Sequence, residues 1–438
     1  MENKDLWFGA IPPHWTYDKI GILFSERRTK VSDKDYTPLS VARIGVVPQL
    51  ATAVKTDAGD NRKLVCNGDF VINSRSDRKG SCGVADRDGS VSLINIVLTP
   101  RNEWNNRYVH YLMRSQPFSE EYYRYGRGIV ADLWTTRYSE MKSILLPIPP
   151  RTEQDQIVRF LDWKVSAINR LIGIKRKDTV LLEEISKAVI NKVITKGLHD
   201  VPLKNSCIKW IGNIPKHWDV VRCKFLFRER DERSASGSEE HLSMSQKFGL
   251  IPDDQLNERR MLSESYQGGK LCYRDDIVLN RLKAHLGVFA LSQQLGVISP
   301  DYTVLMPNKN KILPSYAETI LKSDLCRGEL RMRVRGLVEG FWRLYTNDFY
   351  NIFLPIPPLD EQKVIMRYIH GFSNKIERYR KNIIVEIKKL EELKNRLIAD
   401  TVTGKIDVRN IEIPNYEFVG EESQAEEEID AEGSENEG

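Results

Sequence analysis

Two short stretches of this 438-residue chain concentrate side chains that donate hydrogen bonds. Each stretch begins at an asparagine, Asn73 or Asn280, and the two differ before a shared glycine, Gly83 or Gly287. Their donors are Arg75, Arg78 and Lys79 in the first stretch, and Arg281, Lys283 and His285 in the second. Arginine can contact guanine with two hydrogen bonds, whereas any of these cations can pair with phosphate. The pattern suits nucleic-acid contact, and the alternative is a solvated basic loop that touches only phosphates or nothing.

Four further cations lie near glycines, where little side-chain bulk separates the backbone from a partner. Arg43 and Lys247 each stand two residues before a glycine, and Arg127 and Arg335 each begin the sequence Arg-Gly-x-Val. We expect these four to be secondary contacts, with a purely structural role as the alternative for Arg127 and Arg335.

Catalytic and metal-binding motifs do not accompany these cations. The sequence lacks a GxxxxGK[ST] phosphate loop, a GxGxxG loop after a strand and an HExxH metal motif. His14 and His217 recur inside Ile-Pro-x-His-Trp, which favours a structural corner over a catalytic pair. The six cysteines form no CxxC pair, so neither a disulfide scaffold nor a zinc site is expected. The sequence therefore predicts a protein that binds and connects, with no catalytic residue, metal or cofactor of its own.

Charge points toward a polyanionic partner. The net charge is +5, but residues 417–438 hold ten acidic residues and no basic one. Without those residues the net charge rises by ten, to +15, which suits nucleic acid. No apolar run is long enough to span a membrane, and no secretory signal is expected, so we predict a cytoplasmic protein that contacts no membrane.

The chain contains a tandem duplication. The nine residues that begin at Trp7 follow the pattern WxGxIPxHW, which recurs from Trp210. The sequence Leu-Pro-Ile-Pro-Pro, followed two residues later by Glu-Gln, ends at Gln154 and recurs to end at Gln362. Because both motifs occur twice in the same order, we interpret the chain as one two-part module present twice.

Each copy predicts a mixed globule followed by a long helix. Short β-type runs such as Asp69–Asn73, Ser90–Leu98 and Ile277–Asn280 alternate with helical stretches at Trp104–Gln116 and Pro314–Ser323. Long helices are then expected over Thr152–Lys196 and Asp360–Thr403, capped at Thr152 and Asp360, with Gly197 and Gly404 just beyond their ends. Gly173 or Gly371 is a candidate break.

The long helices carry apolar residues with coiled-coil spacing. In the second, Ile376, Ile383, Leu390 and Leu397 recur every seven residues, with Tyr379, Ile387 and Leu393 between them. One such seam needs a partner, and the other helix is the natural one. We therefore predict an α+β fold in which two long antiparallel helices separate two duplicated globules with pseudo-two-fold symmetry.

These elements predict five segments. Residues 1–150 and 201–358 form two globular domains, 151–200 a central helical spacer, 359–407 a distal helical spacer, and 408–438 an acidic, disordered tail.

Taken in this order, the duplicated motifs resemble the specificity subunit of type I restriction–modification systems, over residues 7–407. The resemblance implies two target-recognition domains, each reading half of a split, asymmetric site in double-stranded DNA. It also implies helical regions that dock two methyltransferase subunits, together with restriction subunits that translocate and cleave DNA. S-adenosylmethionine, ATP and Mg²⁺ are then expected on those partners. The candidate spacer and docking residues are Pro150, Glu153, Gln154, Pro358, Glu361, Gln362, Ile376, Ile383, Leu390 and Leu397.

Two other functional classes remain open at this point. One is a self-sufficient DNA modification enzyme or nuclease with a cryptic active site. The other is a coiled-coil adaptor without a DNA function.

Overall fold

The computed structural model describes residues 6–49, 59–75, 80–128, 134–245, 249–252, 266–336 and 342–420. The chain forms two compact units. The first unit runs to Lys177 and resumes at Ile383, and the second comprises Asp178 to Asn382. Each unit thus contains one globule and one half of each long helix.

The globule of the first unit contains eleven strands and four short helices within its described residues. The strands are β1 (Thr16–Lys19), β2 (Phe24–Glu26), β3 (Lys30–Val31), β4 (Leu39–Ala42), β5 (Gly45–Pro48), β6 (Arg62–Val65), β7 (Phe70–Asn73), β8 (Cys82–Val84), β9 (Gly89–Val91), β10 (Asn95–Pro100) and β11 (Leu145–Ile148). The helices are α1 (Ile20–Leu23), α2 (Asn106–Arg114), α3 (Gln116–Arg124) and α4 (Tyr138–Met141), followed by the long helix α5 (Arg151–Lys196).

The globule of the second unit largely repeats this order, but its described residues add a two-stranded sheet at the start and lack a strand equivalent to β3. Its strands are β12 (Leu203–Asn205), β13 (Asn213–Pro215), β14 (Asp219–Arg222), β15 (Phe227–Arg230), β16 (Leu242–Ser245), β17 (Gly249–Pro252), β18 (Lys270–Cys272), β19 (Ile277–Asn280), β20 (Phe289–Leu291), β21 (Gly296–Ile298), β22 (Tyr302–Pro307) and β23 (Phe353–Ile356). Its α-helices are α6 (Pro314–Lys322), α7 (Asp324–Arg333) and α8 (Thr346–Tyr350), followed by the long helix α9 (Leu359–Val402).

Equivalent four-stranded antiparallel sheets form the centre of both globules. The strand order is β2-β10-β7-β8 in the first unit and β15-β22-β19-β20 in the second. Strand β7, Phe-Val-Ile-Asn, is buried along its whole length, as the continuous apolar run predicts for an interior strand. The predicted strand over Ser90–Leu98 is wrong in one respect. It divides into β9 and β10 at a turn in which the Asn95 N–H donates to the Ser92 carbonyl.

Large aromatic side chains fill each core. Phe24, Phe70 and Tyr108 are fully buried in the first unit, and Trp218 and Tyr316 are fully buried in the second. The hydroxyls of the two tyrosines also tie the globules to helix ends. Tyr108 donates to the Val402 carbonyl at the end of α9, and Tyr316 to the Ile194 carbonyl near the end of α5, each at 3.2 Å. Carbonyls in the last turn have no partner within the helix, so a buried hydroxyl can satisfy them.

Both long helices begin earlier than predicted and run without interruption. The Pro150 carbonyl accepts the N–H groups of Glu153 and Gln154, so α5 starts at Arg151 and Thr152 is not its cap. Helix α9 likewise starts at Leu359 and includes the predicted cap Asp360. Neither Gly173 nor Gly371 breaks its helix.

Gly197 and Gly404 follow the two long helices, as predicted. Their φ angles are +74° and +77°, in the left-handed region that glycine tolerates best. A side chain at Gly404 would also collide with Pro12.

Within each unit the halves of α5 and α9 pack antiparallel. In the first, the Lys175 ammonium lies 2.8 Å from the Glu386 carboxylate, and Lys394 contacts Asn169. In the second, Val193 of α5 shares a core with Ile365 of α9. The predicted seam is only half-buried at Ile376, Ile383, Leu390 and Leu397. Tyr379 and Leu393, predicted to lie along it, are each 54% exposed.

The chain after α9 packs against the first unit instead of leaving it. Val408 is buried, and the Gln156 side chain donates to the carbonyls of Val408 and Ile411 at 3.0 and 2.8 Å. Further along, Ser166 accepts the Val419 N–H at 3.0 Å. Residues 408–420, named the C-terminal strap below, therefore differ from the predicted disordered tail. Residues 421–438 lie outside the described part of the chain.

Candidate nucleic-acid interface

An asparagine begins each predicted reading loop and turns the chain out of the central sheet. The Asn73 side chain accepts the N–H of Arg75 at 3.0 Å. The Asn280 side chain accepts the N–H groups of Leu282 and Lys283 at 3.1 and 3.3 Å, which starts a 3₁₀ helix over Arg281–Leu286. Asparagine is common in such turns because its side chain substitutes for a backbone acceptor. The duplicated asparagines thus have a structural role, and the residues that follow them differ between the two repeats.

A short backbone ribbon joins two of the predicted contact segments in the first unit. The Thr136 N–H donates to the Ser74 carbonyl at 3.0 Å, which places Arg75 opposite Thr135. Thr135 also exchanges two hydrogen bonds with Arg127, at 2.9 and 3.0 Å. Arg75 and Arg127, 52 positions apart along the sequence, therefore lie on either side of the same residue.

The second unit builds a similar ribbon, in which Arg281 occupies the position of Ser74 and not that of Arg75. The Leu344 N–H donates to the Arg281 carbonyl at 3.1 Å. Its neighbour Arg343 exchanges two hydrogen bonds with Arg335, at 2.9 and 2.8 Å. The structure thus brings together the loop arginine and the Arg-Gly-x-Val arginine in both repeats. We name these two arrangements, Arg75–Thr135–Arg127 and Arg281–Arg343–Arg335, the reading ribbons.

The first unit exposes three of its predicted cations to solvent. Arg75 and Arg127 are exposed on the reading ribbon, and Arg43 is exposed at the turn between β4 and β5, away from that ribbon in sequence. The Arg43 carbonyl accepts a hydrogen bond from Arg114. Arg78, Lys79 and, in the second unit, Lys247 lie outside the described residues.

Two predicted cations of the second unit are held by acidic residues. Arg281 donates to the Asp301 carbonyl at 2.7 Å, with the Asp301 carboxylate 3.6 Å away. Arg335 pairs with Asp348 at 2.5 Å. Lys283 is exposed.

His285 lies edge-on to Trp342, with ring centroids 5.2 Å apart. Burial, and then the positive charge of Arg331, lower the pKa of His285 below its ordinary value of 6.5. A neutral imidazole is therefore favoured at neutral pH. It would recognise a base edge or a hydroxyl by hydrogen bonding and would not supply a cation to phosphate.

A pair of a half-buried arginine and a buried aspartate lies at the start of the strand that leads into each loop, and the residue patterns did not single it out. Arg27 binds Asp69 with two hydrogen bonds, at 2.7 and 3.1 Å, and Asp69 is 1% exposed. Arg230 and Asp276 form the equivalent pair, with the shorter hydrogen bond at 2.9 Å. Each aspartate immediately precedes the strand that leads into a reading loop. The duplicated Asp before β7 and β19 was the available sequence signal.

The Glu-Gln pair after Leu-Pro-Ile-Pro-Pro anchors the start of each long helix. Gln154 accepts the Asn105 N–H at 3.0 Å and donates to the Pro149 carbonyl at 3.0 Å. Gln362 accepts the Leu313 N–H at 2.8 Å and donates to the Pro357 carbonyl at 2.9 Å. Because both glutamines are buried inside their own units, they fix the helix to its globule and offer no surface to a partner.

The first turns of the two long helices also bind the repeated histidines. The Glu153 carboxylate lies 2.8 Å from the His14 imidazole, and the Glu361 carboxylate lies 2.8 Å from the His217 imidazole. Pro150 and Pro358 are exposed at the helix starts. The predicted spacer role suits this arrangement, and the docking role of the exposed prolines stays a prediction.

Two further features are absent from the described residues. Among those residues, no three or more histidine, cysteine, aspartate or glutamate side chains lie together as a metal site would require. No helix found there has both the length and the apolar character to cross a bilayer.

The sequence is similar to a defined protein family. A family model described as the type I restriction modification DNA specificity domain matches residues 261–389. The type I restriction enzyme MjaVIII specificity subunit of Methanocaldococcus jannaschii is 26% identical over 285 residues, which cover 62% of this chain and 64% of that protein. The chain therefore spans just under two thirds of that relative. The putative MjaX specificity subunit of the same organism is 24% identical over 90% of this chain and 89% of its own length.

Solved structures share the fold. One, from a study of complex assembly and conformational transition of the type I R-M system, has a TM-score of 0.65 at 15% identity, covering 91% of this chain and all of that chain. The HsdS subunit from Thermoanaerobacter tengcongensis has a TM-score of 0.50 at 16% identity, covering 93% of this chain and all of its own. In its duplicated motifs, its two equivalent units and its long helices, the chain is similar to the type I restriction–modification specificity subunits.

Proposed function

We propose that this chain is the non-catalytic, sequence-specific DNA-recognition subunit of a type I restriction–modification complex, in which each unit reads one half of a bipartite, asymmetric target. The observation that carries the proposal is the pair of reading ribbons. They have the same backbone hydrogen bonds but different side chains at equivalent positions, Thr135 in one and Arg343 in the other. Equal frameworks with unequal side chains suit two half-sites of different sequence.

The paired helices supply the surface for partner subunits in this proposal. In the first unit, Leu171 and Ile174 of α5 are 49% and 50% exposed, and Ile384 of α9 is 60% exposed. In the second unit, Val180 and Leu181 are 55% and 53% exposed. Exposed apolar side chains of this size are typical of protein interfaces. Since the sequence is duplicated, we infer that two methyltransferase subunits dock on the helices, one for each repeat.

The chemistry is assigned to those partners. We infer that S-adenosylmethionine binds to the methyltransferase subunits, and that ATP and Mg²⁺ serve restriction subunits, while this chain binds none of them. The basic body of the chain supports contact with double-stranded DNA, and we place the assembly in the cytoplasm with its DNA substrate.

Reconstitution tests the assignment directly. The purified chain, the methyltransferase subunits and their mixture are incubated with genomic DNA and S-adenosylmethionine, and methylated adenines are mapped. We expect methylation at one bipartite motif from the mixture, and none from the chain alone. Methylation by the isolated chain would support a self-sufficient enzyme, and motif-specific methylation without the chain would remove its recognition role.

A coiled-coil adaptor, the third functional class, would contribute nothing to DNA affinity. Under the proposed function, the complex containing this chain should instead bind its target duplex more tightly than a scrambled duplex, with an affinity that falls as salt rises. Equal affinity of complexes with and without this chain would support the adaptor.

A further inference from the structure

Arg343 occupies the centre of the second reading ribbon. Its backbone pairs with Arg335, and the next residue, Leu344, pairs with Arg281. It therefore lies between the two segments that the sequence marks as candidate contacts, although the sequence patterns did not single it out. Its position follows from tertiary pairing between segments more than 60 residues apart.

The Arg343 side chain is available for a partner. It is exposed, and within the part of the chain that the structure describes it forms no hydrogen bond or salt bridge. Its neighbours differ, because Arg281 is held by Asp301 and Arg335 by Asp348. A guanidinium already bound to a carboxylate must release it before binding another acceptor. Arg343 can offer its donors without that loss.

The first unit shows the same backbone position with a different residue. Thr135, 208 positions before Arg343, makes the same two backbone hydrogen bonds, to Arg127. Each ribbon is also flanked by an equivalent tryptophan: Trp342 packs against His285 at 5.2 Å, and Trp134 stacks on Tyr123 at 5.8 Å. The difference between threonine and arginine is therefore confined to the side chain that the ribbon presents.

We propose that Arg343 reads a guanine in the half-site bound by the second unit, by donating from its guanidinium to guanine O6 and N7. This inference rests on the proposed function, and it adds a specificity-determining residue to it. A two-stranded ribbon fits the major groove of DNA, and guanine presents two acceptors there that match the planar fork of arginine. Thr135 lacks that fork, so the first unit makes no equivalent contact.

The test compares four forms of the complete complex with its methyltransferase subunits: wild type, Arg343→Thr, Arg343→Lys and Arg228→Thr. Threonine is the residue that the first ribbon accepts at this position, and lysine keeps the charge but loses the fork. Arg228 is an exposed arginine of the same sheet, and Arg228→Thr removes the same charge as a matched control. Arg228 is remote from the reading ribbon along β22. It pairs with Met306 near one end of that strand, whereas Asn280, beside the ribbon, pairs with Tyr302 at the other end.

Affinity is measured by fluorescence anisotropy at fixed salt. One duplex carries the target identified by methylation mapping. The others each carry one base-pair replacement in the half-site assigned to the second unit. That half-site is the one that changes when residues 208–350 are replaced by those of a relative. For wild type, replacing one particular G·C pair should weaken binding by about tenfold or more. Arg343→Thr and Arg343→Lys should bind the intact target that much more weakly and no longer distinguish that pair. Arg228→Thr should match wild type.

Three results would overturn the inference alone. The first is wild-type affinity and discrimination in Arg343→Thr. The second is an affinity loss in Arg343→Thr that is equal on every duplex and absent in Arg343→Lys, which would indicate a phosphate contact. The third is a second half-site that contains no G·C pair. A wild-type complex that distinguishes none of these duplexes from scrambled DNA would instead overturn the proposed function.

Discussion

The imidazole Nε2 of His14 lies 2.8 Å from the Oε2 of Glu153, and this contact fixes the N-terminal motif of the first repeat to the first turn of α5. His217 and Glu361 repeat it at the same distance. Both residues belong to the duplicated motifs, WxGxIPxHW and LPIPPxxEQ, so the two most conspicuous sequence signals are the two halves of one structural joint. The joint sets the direction in which each long helix leaves its globule.

Replacing His14 with alanine should destabilise the first unit without changing the recognised sequence. Glu153 is only 8% exposed, so it would lose its partner in a site that water reaches poorly. The cost of leaving such a group unsatisfied is about 1–3 kcal/mol. Denaturant titration measures the free energy of unfolding, and hydrogen exchange locates the loss at the start of α5. His199→Ala is a control at an exposed histidine. Unchanged exchange at Glu153 and Gln154 in His14→Ala would contradict this role.

Alanine substitutions at Arg75, Arg78 and Lys79 should weaken DNA binding by the complex. Loss of an arginine that contacts a base should cost about 1–3 kcal/mol, whereas loss of a residue that contacts phosphate should mainly reduce the salt dependence. The triple variant and its three single variants are titrated with the target duplex at several salt concentrations. Arg101→Ala, at an exposed arginine of the first unit that follows β10, is a control that removes the same charge as each single variant. A triple variant with wild-type affinity and salt slope would show that this loop does not contact DNA.

Two truncations should separate the C-terminal strap from the acidic residues beyond it. A chain ending at Asp407 loses the buried Val408 and both hydrogen bonds from Gln156. It also loses Phe418, whose ring lies 4.4 Å from the Arg107 guanidinium. We expect a loss of about 2–4 kcal/mol in the stability of the first unit, from burial together with lost hydrogen bonds.

A chain ending at Gly420 keeps all of these contacts, and its unfolding should match that of the full chain. Thermal and denaturant unfolding of the three chains decide the matter. Equal stability of the chain ending at Asp407 would mean that the strap does not stabilise the unit.

The repeated frame could be predicted from sequence, because duplicated motifs and helix periodicity are local signals. Strands β7 and β19, the lengths of α5 and α9 to within two residues, and the left-handed glycines Gly197 and Gly404 all follow from such signals. The helix starts were misplaced because the Pro150 carbonyl already accepts the first hydrogen bonds, which a search for capping side chains overlooks. Helix α5 continues through Gly173, since a glycine costs a helix only about 1 kcal/mol.

The candidate interface depends more on tertiary pairing. Arg75 and Arg127 could each be named from composition and glycine spacing, but their meeting at Thr135 could not. That meeting depends on hydrogen bonds between segments far apart in sequence, with no local pattern to announce it. Arg343 was missed for the same reason. The strap was missed because the charge of the residues after Gly420 dominates the composition of the whole C-terminal segment.

Exchange of one recognition region tests the central claim most directly. Residues 208–350 are replaced by the corresponding residues of a relative with a different target, the hybrid is expressed with its methyltransferase subunits, and the methylated sites of the host genome are mapped. The account predicts a new motif that keeps one half-site of the original target and takes the other half-site from the relative. An unchanged motif, or a change in both halves, would contradict the claim that each unit reads its own half-site.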